Sequence, residues 1–308
     1  MKLPAVCILY YLQKKYDVSI VNRGKEAGYA GFQIWFPGIS TEDTVVIGNA
    51  DRLEAAYFES GLNHSCLVLS VGKGNFEKMK SANTILQISA EKVTEAEVYN
   101  TVKNIFKLFD QWEQQLLSIL HDSHSIKNRY RDMLCCSENI MEVPCAIIDV
   151  SNRYAAFTDA YYQGYILPND GNEGYVPWNF VNDTSMRKEW KNILANKGTF
   201  YFEFGDSACH IMGKSIFFNK ENVGHVGIVV KDETQVDYLE AVLVMLHKYV
   251  NELYSQTGTF YYGNSNDSRQ IALIKKTLEG KQFSQDVWKR TFQRIGWESQ
   301  SEFQIAAF

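Results

Sequence analysis

EAEVYNTVKNIFKLFDQWEQQLLSILHDSHSIKNRYRDMLCC, residues 95–136, reads as a single long helix. From Val98, alternate steps of four and three land on Val102, Ile105, Phe109, Trp112, Leu116, Ile119, Ser123, Ile126, Tyr130 and Met133. Only Ser123 breaks the apolar series. A 3.5-residue period kept over about five heptads is a coiled-coil pattern, because 3.6 residues per turn would drift the stripe by about 20° per heptad. The stretch therefore predicts an unbroken signalling and dimerisation helix over 95–136 whose seam meets a second chain. At about 1.5 Å per residue the seam spans about 50 Å, enough to link two domains. Thr94, with Glu97 three residues on, gives it a capping box. The same spacing also describes an amphipathic helix packed on its own domain.

Before this helix, residues 1–94 alternate strand-like and helix-like segments. A helix is expected over 3–16, strands over 18–21, 32–36, 44–47, 66–71 and 84–88, and helices over 51–59 and 75–82. Strands apolar on both faces, such as Cys66-Leu-Val-Leu-Ser-Val71, separated by short helices, predict an α/β N-terminal domain with a mostly parallel sheet. After the helix the pattern turns antiparallel. Pro144-Cys-Ala-Ile-Ile-Asp-Val150 is a strand, Ser151-Asn152-Arg153 a turn, and 154–158 the return. A polar connection over 163–175 and a helix over 178–196 follow. Then 199–204 pairs with 208–218 across Gly205-Asp206, and 208–218 pairs with 223–230 across 219–222. A last helix over 234–254 carries Leu239, Val242, Leu246, Tyr249 and Leu253 on one face. This predicts an α+β domain over 137–255, an antiparallel sheet with a helix at each end, on the plan of PAS and GAF sensory domains. Residues 256–308 read as a linker, two helices and a final apolar strand, Phe303-Gln-Ile-Ala-Ala-Phe308, taken as the start of a truncated domain.

A length of 308 residues implies about two domains, and 45% hydrophobic with 14% aromatic residues is enough for real cores. A net charge of −5 and a pI near 5.8 argue against a broad basic face for nucleic acid. Cys7, Cys66, Cys135, Cys136, Cys145 and Cys209 lie mostly inside apolar runs, as free cysteines do in a reducing cytoplasm. No uncharged apolar run approaches about 18 residues, so no membrane span is expected.

Several segments resemble one family. Met1-Lys-Leu-Pro4, Ile8-Leu-Tyr-Tyr-Leu-Gln-Lys-Lys-Tyr-Asp17, Thr44-Val-Val-Ile-Gly-Asn49 and Phe109-Asp-Gln-Trp-Glu-Gln-Gln-Leu-Leu117 are similar to the N-terminal region of bacterial regulators of the PucR/CdaR type. The run from Pro144 to Tyr154 resembles the first hairpin of their GAF/PAS-like domain. Lys276-Thr-Leu-Glu-Gly-Lys281, Ile295-Gly-Trp297 and Phe303-Gln-Ile305 resemble the entry to their GGDEF-like domain. The resemblance implies the sensory region of a transcription regulator: a homodimer with an unknown small-molecule effector and no cofactor. DNA would be met only through a C-terminal helix-turn-helix domain missing from this chain.

Among chemical motifs, Gly72-Lys73-Gly74 sits where a phosphate loop would, but lacks both the Gly-x-Gly-x-x-Gly spacing and a Gly-Lys-Ser/Thr ending. An ordinary turn is expected. If the hairpin turns over 219–222, His225 opposes Ile216, six positions from His210 and about 20 Å away, too far for one metal ion with Cys209. Vicinal Cys135-Cys136 are expected to pack, and Asp170-Gly-Asn-Glu-Gly174 lacks the later glutamate of a calcium loop. No Gly-x-Ser-x-Gly elbow occurs. A ligand pocket is expected on the face shared by His210, Met212, Lys214, Ile216 and Phe218, with Tyr154, Trp178, Tyr201, His210 and Lys214 as candidate ligand-binding residues. Rival readings are a small α/β enzyme with an accessory domain and a purely structural dimerisation module.

Overall fold

The computed structural model describes residues 1–24, 28–58, 65–74, 76, 83–89, 93–122, 128–161, 176, 195, 197–203 and 210–260. The chain divides into a first unit, Met1–Gln114 with Thr234–Val242, and a second, Gln115–Glu233 with Leu243–Phe308. No helix among the described residues is long and apolar enough to cross a membrane.

In the first unit, β1 (Leu3–Pro4) leads into α1 (Ala5–Gln13), then β2 (Val18–Asn22), β3 (Gly28–Tyr29), β4 (Gly31–Ile34), β5 (Thr44–Asn49), α2 (Ala50–Phe58), β6 (Leu67–Val71) and β7 (Thr84–Ile88). The sheet order is β2-β7-β6-β5-β4, with β4 to β7 parallel and β2 antiparallel at one edge. This is the mostly parallel α/β sheet expected for the N-terminal region. Every residue of β6 is buried, as a central strand covered on both faces must be. Val46, Val68 and Ile85 share one face and pack with Ala50, Leu53 and Ala56 of α2, while Cys7, Ile8 and Leu12 bury α1. A ribbon of β1 with β3, absent from the sequence reading, ties Leu3 to Tyr29. Asn49 caps α2 by accepting from the Asp51 N–H at 3.0 Å. The Gly72-Lys73-Gly74 turn is closed by its own neighbours: Gly72 N–H donates to Ile88 O and Gly72 O accepts from Gln87 Nε2, each at 3.0 Å. A Cβ on Gly74 would sit 2.9 Å from Ala50 and 2.6 Å from Phe76, so this glycine is there for close packing.

The capping box ahead of α3 (Glu95–His121) is formed as read: Thr94 N–H donates to Glu97 Oε2 at 2.8 Å and Glu97 N–H to Thr94 Oγ1 at 3.2 Å. Thr94→Ala is expected to destabilise the chain by about 1 kcal/mol in urea denaturation. The long helix itself is shorter than the 95–136 rod. It stops at His121, and a separate helix, α4, covers Arg129–Met141. Asp122 follows the last residue of α3 and Asn128 precedes α4, and Asp and Asn side chains compete with helical backbone bonds. Ser123 and Ile126 lie outside the described residues.

The seam also changes meaning. Val98, Val102, Ile105, Phe109, Trp112, Leu116, Tyr130 and Met133 are all at most 3% exposed, and Ile119 is half-buried. Their own chain buries them, so this stripe is core and not a surface for a second copy. A short contact stripe on a packed helix repeats at three and four just as a coiled coil does.

In the second unit, β8 (Cys145–Asp149), β9 (Tyr154–Phe157), β10 (Thr199–Glu203), β11 (His210–Phe218) and β12 (Glu221–Val230) are followed by a 3-10 turn and α5 (Val236–Thr257), whose first residues belong to the first unit. The order β10-β11-β12-β8-β9 is wholly antiparallel, built from the three hairpins read in the sequence. The β8–β9 turn is locked by Asp149, whose Oδ1 accepts from Ser151 N–H, Ser151 Oγ and Arg153 N–H at 2.8, 2.7 and 2.9 Å. The β11–β12 turn is tighter than read. Phe218 opposes Glu221, and Asn219 and Lys220 both have positive φ, as a two-residue type I′ turn requires. The register then shifts between Ile216 and Phe217, leaving Ile216 opposite Gly224 and Ser215 opposite His225. The expected pairing of His225 with Ile216 is therefore wrong by one residue, which moves His225 to the other face.

Candidate functional site

Opposed residues of neighbouring strands share a sheet face, so the register sorts the second sheet into two surfaces. One carries Met212, Ile228 and Cys145 in a row, then Lys214, Val226 and Ile147, then Ile216, Gly224 and Asp149. Helices α4 and α5 cover it. A Cβ on Gly224 would lie 3.2 Å from the Phe260 ring, which packs on Tyr130 of α4 and Tyr254 of α5. Cys145 on this face is pushed up in pKa by burial and then by Glu138 of α4.

The opposite face is of another kind. Its rows are Ser215, His225, Ile148 and Tyr154, then Gly213, Gly227, Ala146 and Phe157, with Phe200 of β10 facing Gly213. These sheet residues carry no formal acid or permanent cation. Both glycines are buried, as are Ala146, Phe200, Ser215, His225 and Tyr154. Two adjacent glycines and an alanine leave a patch of bare backbone between rows of larger side chains. The Phe200 ring fills the patch over Gly213, where its Cζ lies 2.2 Å from the position a Cβ would take. Over Gly227, among the described residues, that position is in ordinary van der Waals contact with His225 Cδ2 at 3.8 Å and with Ile211 Cγ2 and Met212 O at 4.0 Å. The His225 ring meets Phe200 edge-on at 5.8 Å. Burial raises the Tyr154 hydroxyl to about 12 against the lowering effect of its hydrogen bond with Tyr161, so it stays protonated at neutral pH.

Ser215 is the polar centre of this face. Its side chain is 1% exposed, and Oγ has no hydrogen-bond partner. An unmatched buried hydroxyl costs about 1–3 kcal/mol, which makes it a place where a ligand group would be welcome. Its carbonyl, on the same residue, accepts from His247 Nε2 of α5 at 2.9 Å. A carbonyl only accepts, so the neutral ring carries its proton on Nε2. Burial, and then Lys214, hold His247 below its ordinary value of 6.5 against the raising effect of the Ser215 bond. The unfolded chain therefore takes up this proton first as pH falls. Stability from His247 is full above about pH 6.5 and is lost as pH falls through 6.5 toward the lower folded value. Wild type is expected to lose more stability between pH 7.5 and pH 5 than His247→Gln does, measured by urea denaturation at each pH.

The residues chosen from sequence do not meet in one site. Tyr154 lies on the glycine face. Tyr201 opposes Met212 on the helix-covered side, is 41% exposed and stacks on His210 at 5.2 Å. His210 lies 3.6 Å from Glu233, and Lys214 Nζ donates to Lys197 O at 2.8 Å. Trp178 and Cys209 lie outside the described residues. The pocket face expected from His210 to Phe218 is thus the one filled by helices. Phe200, Ser215 and Gly227 were missed, and His225 was weighed only as a metal ligand; the signal that finds them is the Gly213-x-Ser215 spacing of β11 against His225-x-Gly227 of β12, read in the correct register. Among the described residues no group of three or more His, Cys, Asp or Glu is placed to hold a metal.

No family model and no curated protein matches the chain. Among the solved structures similar to the chain are two GAF domains, each matched over about half of it. The GAF domain of nlh2 from A. aeolicus, in an inactive state, is 11% identical, covers 49% of this chain and 98% of its own, and gives a TM-score of 0.35. The cofactor-binding GAF domain of the nutrient sensor CodY from Clostridium difficile is 7% identical, covers 48% and 96%, and gives 0.32. At these identities and scores the likeness carries no argument about fold, ligand or activity.

Proposed function

We propose that the chain is a small-molecule sensor whose ligand lies on the Gly213, Ser215, His225 and Gly227 face of the second unit. The observation that carries this reading is the buried Ser215 hydroxyl without a partner on a glycine-floored face whose described sheet residues carry no formal charge. Ser215 also supplies a route for the signal. A group bonded to Oγ shifts β11, and the Ser215 carbonyl passes the shift to His247 and so to α5. This replaces the coiled-coil seam as the moving part, and the response is a population shift between two packings of that helix. The finer reading, supported by the loose segment resemblance, is the sensory region of a bacterial transcription regulator, binding without turnover in a reducing cytoplasm. Buried free Cys7, Cys66 and Cys145 suit that compartment. A thermal-shift screen of purines, sugar acids, amino acids and nucleotides tests it. A ligand at 100 times its dissociation constant adds about 2.7 kcal/mol, and Gly227→Val, which fills the floor, is expected to abolish the shift. Hits equally strong in that variant would remove the site.

A further inference from the structure

Resting on that reading, we infer that α5 answers a ligand at Ser215 by pivoting about Tyr254, so that its Val236 end carries an amplified displacement. The Tyr254 end is the fixed one. Its ring meets Phe218 of β11 at 5.6 Å and Phe260 at 4.6 Å, and Phe260 meets Tyr130 of α4 at 5.2 Å. The Tyr130 hydroxyl lies 3.4 Å from both Thr257 Oγ1 and Thr259 O, and Gly258 N–H donates to Tyr254 O at 2.7 Å to close the helix. Sheet and α4 thus grip one end of α5 together. Two turns earlier on the same face, His247 Nε2 donates to Ser215 O at 2.9 Å. The spacings match: His247 to Tyr254 along the helix and Ser215 to Phe218 along the strand are each about 10 Å. A push on the Ser215 carbonyl therefore meets α5 about 10 Å from its anchored end. Sliding along the axis would draw Tyr254 away from both rings, whereas a tilt about it keeps both contacts.

From Tyr254 back to Tyr238 the helix runs about 24 Å, so a shift at His247 is roughly doubled at Tyr238. Tyr238 is 2% exposed, stacks on Tyr10 of α1 at 3.7 Å and 11°, and donates its hydroxyl to Tyr11 at 3.3 Å. Thr234–Val242 belong to the first unit, so these rings are where that unit reads the tilt. A hydroxyl pair already at 3.3 Å, beyond the usual range of about 2.5–3.0 Å, is broken by a further shift of less than about 1 Å.

Hydrogen exchange of the full chain, followed by mass spectrometry, tests the lever without a ligand. His247→Phe keeps a ring in place and removes the donor to Ser215 O. Peptides from 236–246 are expected to exchange at least about threefold faster than in wild type, while those from 250–257 stay within about 1.5-fold, because the Tyr254 anchor is untouched. Equal acceleration at both ends means that α5 slides or loosens as a whole and overturns the inference. No acceleration at either end overturns it too. If His247→Phe fails to fold by circular dichroism, Tyr254→Leu decides. Loss of the pivot is expected to speed exchange about threefold at both ends, and acceleration confined to 250–257 overturns the proposal. The metabolite screen with Gly227→Val carries the sensor reading and the exchange pattern carries the lever, so the two fail separately.

Discussion

Trp112→Ala is expected to destabilise the first unit by about 3–5 kcal/mol, the range for deleting a buried indole. Trp112 is 2% exposed and packs edge-on against Phe109 at 6.0 Å, with Tyr11 meeting Phe109 from another side at 5.9 Å. The neighbours are held by α1 and by α3 itself, so they cannot collapse fully into the space an indole leaves. Urea denaturation followed by circular dichroism reads the loss. Sedimentation of the variant under native conditions reads the second half of the claim, that the oligomeric state does not change. A variant of near-native stability that dissociates into smaller species would restore the intermolecular seam and remove the core assignment.

Asp149→Ala is the second large effect, expected at about 3 kcal/mol. Asp149 is 3% exposed, and one of its carboxylate oxygens accepts from two backbone N–H groups and a hydroxyl within five residues. Without it the Arg153 N–H, in a residue 6% exposed, loses this acceptor inside the turn that joins β8 to β9. Asn at this position keeps an oxygen acceptor and is expected to recover about half of the loss, because bonds to a charged acceptor are stronger than those to a neutral one. Equal stability of Asp149→Ala and wild type would mean that the turn is set by Asn152 with its φ of 61° and not by the carboxylate.

Strands buried on both faces, such as Leu67–Val71, are legible because continuous apolar runs between short helices have few other solutions. The three hairpins are legible because polar turns interrupt alternating strands. What the residues alone did not reveal is register and partner. A bulge next to Phe217 is invisible in composition, yet it moves His225 from the side of Ile216 to that of Ser215, and with it the whole candidate site. The stripe from Val98 to Trp112 has one spacing whether it meets a twin or its own sheet, since short stretches do not separate 3.5 from 3.6. Asp122 did mark the end of α3, and the apolar rhythm around it masked that signal. Ser215 drew no attention because a serine in a strand is ordinary until its burial and missing partner are seen.

The central claim is that the glycine-floored face of the second sheet receives the ligand. Labelling the full chain with nitrogen-15 glycine and titrating it with the strongest thermal-shift hit tests this directly, because glycines mark both units. Shifts that begin at Gly213 and Gly227 and leave Gly72 and Gly74 in place are the predicted result. Shifts confined to Gly72, Gly74 and Gly48 at the carboxyl end of the parallel sheet would contradict it.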